Sequence, residues 1–152
     1  MLTIRTRKEK FGKLIYNPHE DNFRLESNNK NVLEQIISFP ITMHWMLTLK
    51  CNARCPYCYE KSSLLKPSDS EDALSEGEAI KFVDDFSKGG GFRLYLTGGE
   101  PTLSDLLVPI IGAAYKREVK TVINSNGINI SEDLYETIKK SESRLSLSLD
   151  SH

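Results

Sequence analysis

Cysteine is scarce in this chain, and its three copies crowd into eight residues, Cys51 to Cys58. An odd number packed that tightly makes a poor disulfide framework, so a reducing compartment is implied and the cytoplasm is the expected location. No apolar run approaches the roughly 18 residues that a membrane span requires, so no membrane partner is expected. The first residues, Met1-Leu2-Thr3-Ile4-Arg5, lack the apolar core and small-residue cleavage site of a signal peptide. A dominant charge is missing too: 20 basic against 21 acidic residues leave a net −1, which offers nucleic acid no basic face. What is present fits one ordinary soluble domain, with 39% hydrophobic and 27% charged residues in a length of 152.

From about residue 43 the chain alternates short apolar runs with longer amphipathic stretches. Residues 43–49 are apolar and lead directly into the cysteines. Residues 73–87 carry Leu74, Ile80, Phe82, Val83 and Phe86 at helical spacing. Ser75 with Glu78 forms a capping box for that helix. Gly89-Gly90-Gly91 breaks the chain, and 92–97 alternates as a strand. The rhythm repeats with a helix at 104–116, a strand at 119–124, a helix at 131–140 and a strand at 144–149. Pro109 is expected to kink the second helix or to move its start. This order predicts right-handed βαβ units and a parallel sheet, an α/β fold. Residues 1–42 read differently. Phe11–Tyr16 and 22–25 flank the turn-rich Asn17-Pro18-His19-Glu20-Asp21 as a β-hairpin, and 32–39 reads as a short helix ended by Pro40. The polar stretch 61–72 is too long for a tight connection.

Cys51, Cys55 and Cys58 stand in the spacing C-x3-C-x2-C. Thiolates this close can wrap one face of a metal centre, and soft sulfur ligands suit zinc or iron–sulfur chemistry. On a four-iron cubane, three cysteines leave one iron open to a substrate or cofactor. A structural zinc would need a fourth ligand, for which His44 precedes the loop and His19 is remote; the usual second Cys pair is missing. Three cysteines without a ligand role are the third alternative.

The spacing C-x3-C-x2-C after a first strand, with aromatic Tyr57 before the last cysteine, resembles the signature of the radical S-adenosylmethionine (radical SAM) enzymes. Further motifs agree in order. Thr97-Gly98-Gly99-Glu100-Pro101 follows the second strand and is similar to the family's G-G-E. Glycines let backbone approach a ligand, and carbonyls with the Glu100 carboxylate could accept from the SAM ammonium. A plain strand-to-helix turn, with Glu100 serving the helix N-terminus, is the alternative. Asn124-Ser125-Asn126-Gly127 follows the third strand, and Ser148-Leu149-Asp150 ends the fourth. Each motif lies at a strand's C-terminal end, where parallel barrels assemble their chemistry.

The resemblance, from about Met43 to Asp150, implies a partial (β/α) barrel of the radical SAM type, stopping after about four parallel strands, behind a short N-terminal β-hairpin extension. Residues 1–42 would form that extension and 43–152 the N-terminal part of the core. It implies a [4Fe–4S] cluster on Cys51, Cys55 and Cys58. SAM contacts would come from Tyr57, Gly98, Gly99, Glu100, Ser125, Asn126, Ser148 and Asp150. The cluster would reductively cleave SAM to a 5′-deoxyadenosyl radical that abstracts hydrogen from substrate. Expected partners are a reductant such as flavodoxin or ferredoxin, a peptide or small-molecule substrate, and the remainder of the barrel. The N-terminal hairpin looks like the start of the peptide-recognition elements preceding radical SAM peptide maturases, so a peptide or protein is the leading substrate class. Cofactor or small-metabolite synthesis is the alternative, and a non-catalytic zinc-binding module is the rival of another class. A bulky residue at Gly99 is expected to weaken SAM binding and spare the iron. The 152-residue chain, with an exposed fourth strand, is expected to self-associate.

Overall fold

The computed structural model describes residues 1–10, 12–27, 37–58 and 74–149. The expected loop at 61–72, residues 32–36 of the expected short helix, and Asp150 lie outside them; residues 37–40 are not helical.

Two sheets organise the chain. The first is antiparallel, in the order β1 (Arg5–Glu9), β2 (Gly12–Asn17), β3 (Asn22–Glu26). The expected hairpin is therefore the second half of a three-stranded meander. The Asn17 side chain accepts from the His19 N–H at 3.0 Å, the local bond that makes the β2–β3 connection turn. The second sheet is parallel, in the order β4 (Thr42–Met46), β5 (Arg93–Thr97), β6 (Lys120–Ser125), β7 (Arg144–Leu147). Helices α1 (Glu76–Lys88), α2 (Leu107–Lys116) and α3 (Glu132–Lys140) provide the crossovers.

Local chemistry accounts for the helix boundaries. Ser75 and Glu78 close a reciprocal capping box on α1, and the Ser131 side chain accepts from Leu134 N–H at the start of α3. Pro109 moves the start of α2 and does not kink it. Residues Pro101–Leu103 form a 3-10 turn, the α-helix begins at Leu107, and Pro109 falls in the first turn, where its missing N–H costs nothing. Apolar faces of the helices meet Leu94, Leu96 and Ile123 of the sheet in one core that includes Val83, Phe86, Ile110 and Ile111. Parallel pairing sets His44, Tyr95 and Val122 in one row and leaves them on the opposite face of the sheet from that core.

The meander lies under the N-terminal ends of the parallel strands. Arg5 donates to the carbonyls of Gly91 and Glu118, and Arg7 to that of Gly90, so cations cap the entries to β5 and β6. Leu14, Tyr16 and Phe92 form a second small core with Phe23 and Ile41 between the sheets. Asp21 bonds Arg93 at 2.6 Å, Arg144 at 2.9 Å and the Tyr16 hydroxyl at 2.9 Å, bolting the β2–β3 turn to β5 and β7. Glu9 is likewise buried; desolvation opposes its charge, but bonds from Ser38 and Arg7 outweigh it and hold the carboxyl below its ordinary range.

Candidate cluster and cofactor site

At the other end of the sheet the strand-end motifs converge. Gly99 N–H donates to Thr48 O at 2.7 Å and Glu100 N–H to Lys50 O at 2.8 Å, so the Gly-Gly turn is stitched to the segment entering Cys51. That closeness explains both glycines. A Cβ on Gly98, which has φ 144°, would lie 2.3 Å from Thr48 O, and one on Gly99 would lie 2.3 Å from Lys50 O. The glycines make room for the cysteine loop's own backbone.

Glu100 is 1% exposed. Its Oε1 accepts from Ser125 Oγ at 2.8 Å and from Thr102 N–H at 3.1 Å, and its Oε2 accepts from Asn126 N–H at 2.8 Å. A buried carboxylate is costly unless hydrogen-bonded, and these donors offset that cost. The motif glutamate thus ties the β5 turn to the β6 turn. Ser125 is 2% exposed and also accepts from Gly127 N–H through Oγ, so it belongs to the same knot. Asn126 reaches the cysteine loop itself, donating from Nδ2 to Asn52 Oδ1 at 2.8 Å.

All three cysteines are half-buried, and no disulfide joins them. Ala53 N–H points at Cys51 Sγ, 3.4 Å away, and Cys58 N–H bonds Cys55 O at 3.1 Å, folding the last two cysteines into one turn. Among the described residues no three His, Cys, Asp or Glu side chains come close enough to share a single metal ion. Three thiols in the spacing C-x3-C-x2-C at one strand end are a donor set that fits a [4Fe–4S] cluster, with one iron left for another ligand. His44 and His19, the candidate fourth zinc ligands, go elsewhere: His44 stacks on Tyr95 at 4.4 Å, and His19 sits in the meander turn.

Tyr57 is 62% exposed beside the cysteines. Ser148 extends the β6–β7 ladder through its N–H to Ser125 O at 2.9 Å and exposes its side chain to the same rim. The structure thus gathers Cys51, Cys55, Cys58, Gly98, Gly99, Glu100, Ser125, Asn126 and Ser148 at one end of the sheet.

The sequence model of the radical SAM superfamily matches residues 45–152. The chain belongs to that superfamily. The radical SAM family works with a [4Fe–4S] cluster and SAM. Similar proteins include a GTP 3′,8-cyclase of Synechococcus elongatus, 36% identical over 107 residues, covering 69% of this chain and 32% of that protein. Fe-coproporphyrin III synthase of Methanosarcina barkeri is 27% identical over 125 residues, covering 79% of this chain and 30% of that protein. These radical SAM relatives are enzymes, and the chain spans about a third of their length. Among solved structures, Streptococcus suis SuiB bound to S-adenosylmethionine superposes with a TM-score of 0.73 at 17% identity, covering 97% of this chain and 47% of that one. SuiB bound to its precursor peptide SuiA gives 0.70 at 16%, covering 95% and 47%. At that identity the likeness is one of fold, and it includes the N-terminal sheet.

Two features of this strand end were not read from the sequence. Asn52 accepts from Asn126, and only its place inside C-x3-C could have marked it. The His44–Tyr95 stack, with Arg93 donating to the Tyr95 hydroxyl at 2.9 Å, lies on the open face of the sheet. Its signal was the alternation of β4, in which Met43 and Trp45 pack on the core and His44 faces away.

Proposed function

We propose that this chain is the cluster-bearing part of a radical SAM enzyme that modifies a peptide or protein substrate. The observation that carries the chemistry is the knot joining the Gly-Gly turn, the Ser125-Asn126 turn and the cysteine loop around one strand-end rim. Cys51, Cys55 and Cys58 would hold the cluster. When bound, cluster and SAM supply a 5′-deoxyadenosyl radical that takes hydrogen from substrate. The chain's own residues do the positioning. Backbone at Gly98 and Gly99 offers acceptors for the SAM ammonium, Tyr57 offers a face for adenine, and Ser148, with Asp150 two residues on in the sequence, offers polar groups for SAM. Glu100, with its acceptors engaged inside the protein, serves by fixing the turn. The face carrying His44, Tyr95 and Asn124 is the floor for substrate. A flavodoxin or ferredoxin supplies the electron, and the setting is cytoplasmic.

The peptide reading draws support from SuiB, a fold neighbour whose likeness includes the N-terminal sheet and which binds a precursor peptide. Cofactor or small-metabolite synthesis is the second reading, favoured by the sequence relatives, which include GTP 3′,8-cyclases. For the cluster, anaerobic reconstitution should give iron and acid-labile sulfide with broad absorbance in the visible. Cys55→Ala should lose most of both, since the site already runs one ligand short. Full cluster content in that variant would remove the assignment. For the substrate, 5′-deoxyadenosine release should rise with a cell extract and fall back when the extract is pretreated with a peptidase. Stimulation that survives the peptidase would favour a small metabolite.

A further inference from the structure

Asn126 is held so that its side chain has one orientation. Its Oδ1 accepts from Ile128 N–H at 2.9 Å and its backbone N–H is taken by Glu100 Oε2 at 2.8 Å. Nδ2 is then the end that faces Asn52 Oδ1, at 2.8 Å; a flipped amide would set oxygen against oxygen and lose Ile128 as well. Asn52 directly follows Cys51, and the next residue, Ala53, sends its N–H to Cys51 Sγ. The turn after β6 thus reaches across to Asn52, the residue between Cys51 and the N–H that faces its sulfur, and the buried Glu100 anchors that reach.

We infer that the Asn126–Asn52 bond is a tether that sets the cysteine loop relative to the cofactor turn, with Asn126 a positioning residue for the cluster. The inference deepens the cluster assignment proposed above and rests on it for its redox consequence. A hydrogen bond to a ligand sulfur is one of the determinants of a cluster's potential, because it stabilises the more negative, reduced state. Cutting the tether frees residues 52 and 53, weakens the N–H to Cys51 Sγ, and moves the potential downward. It removes no ligand, so iron content holds.

The test uses the full chain as wild type, Asn52→Ala, Asn126→Ala and the double variant. In cluster-free protein, amide exchange across residues 52–55 should quicken roughly fivefold in each single variant, the effect of one net hydrogen bond. The double variant should exchange no faster than Asn126→Ala alone, because both changes cut the same bond. In reconstituted protein, a redox titration read by electron paramagnetic resonance should give a lower midpoint in all variants, with iron, sulfide and unfolding midpoint near wild type. Unchanged exchange in Asn126→Ala, or effects that add in the double variant, would overturn the tether. Unchanged potential with quickened exchange would overturn its positioning of the cluster. Failure of the wild type to take up any cluster would instead sink the assignment above, while the exchange experiment would still decide on the tether.

Discussion

A carbonyl oxygen 2.3 Å from where a side chain would begin leaves Gly99 no substitute. The obstacle is the backbone of Lys50, with Leu49 O next at 2.7 Å, and neither can swing aside as a side-chain tip could. This changes what Gly99→Val should do. The steric argument from sequence put the intrusion in the SAM pocket and spared the iron. The geometry puts it in the segment leading to Cys51, so iron retention and SAM affinity should fall together. We expect Gly99→Val to keep less than about half the wild-type iron after reconstitution, because an unrelieved backbone clash costs several kcal/mol and is relaxed by moving the loop. Metal analysis beside calorimetric SAM titration checks this, and normal iron with lost SAM affinity would restore the earlier picture.

Among elements, the β2–β3 turn does the least expected work. Asp21 is 7% exposed at its side chain and faces Arg93, itself 10% exposed, whose guanidinium also lies 4.9 Å from the Phe23 ring. Removing the charge would leave a cation buried without its partner. Asp21→Asn should therefore destabilise by about 3 kcal/mol, seen in the urea midpoint, and Asn tolerates the positive φ of 54° so backbone strain adds nothing. The loss should be smaller in Asp21→Asn with Arg93→Met, which removes both charges and leaves an apolar stem among the rings. Sequence could reveal the turn but not the bolt, because Asp21 and Arg93 are 72 residues apart and nothing local pairs them. The same limit hid β1. Its Arg-Thr-Arg-Lys-Glu alternates in burial, yet every member is polar, and an amphipathic search finds no apolar face there. Elements whose stability is local were legible. The α1 capping box, the apolar β5, and the glycine breaks state their own boundaries in adjacent residues. The cysteine spacing was legible for the same reason, whereas the partners of Glu100 at Ser125 and Asn126 depended on which strands became neighbours.

For the molecule as a whole, the question is whether the β1–β3 meander and the parallel sheet are separable. A recognition element that moves on its own would share few bonds with the barrel. Here Leu2 is 1% exposed, the Met1 ammonium reaches the Tyr115 hydroxyl, and Thr3 bonds Glu118. Arg5, Arg7 and Asp21 add polar ties, and Tyr16 and Phe92 share an apolar contact with ring centroids 5.6 Å apart. These contacts gather at the entries to β5 and β6. We therefore expect a single cooperative transition in urea, with no intermediate in which the meander has left the sheet. Trp45 is the chain's one tryptophan and packs against Phe82, with ring centroids 4.4 Å apart, so its fluorescence reports the parallel sheet alone. Amide exchange in β1–β3 reports the meander. Coincident midpoints for the two probes would make the meander the floor of the barrel. Exchange in β1–β3 at urea concentrations where Trp45 fluorescence is still native would make it a separate module, and a peptide bound there could then move it without disturbing the cluster end.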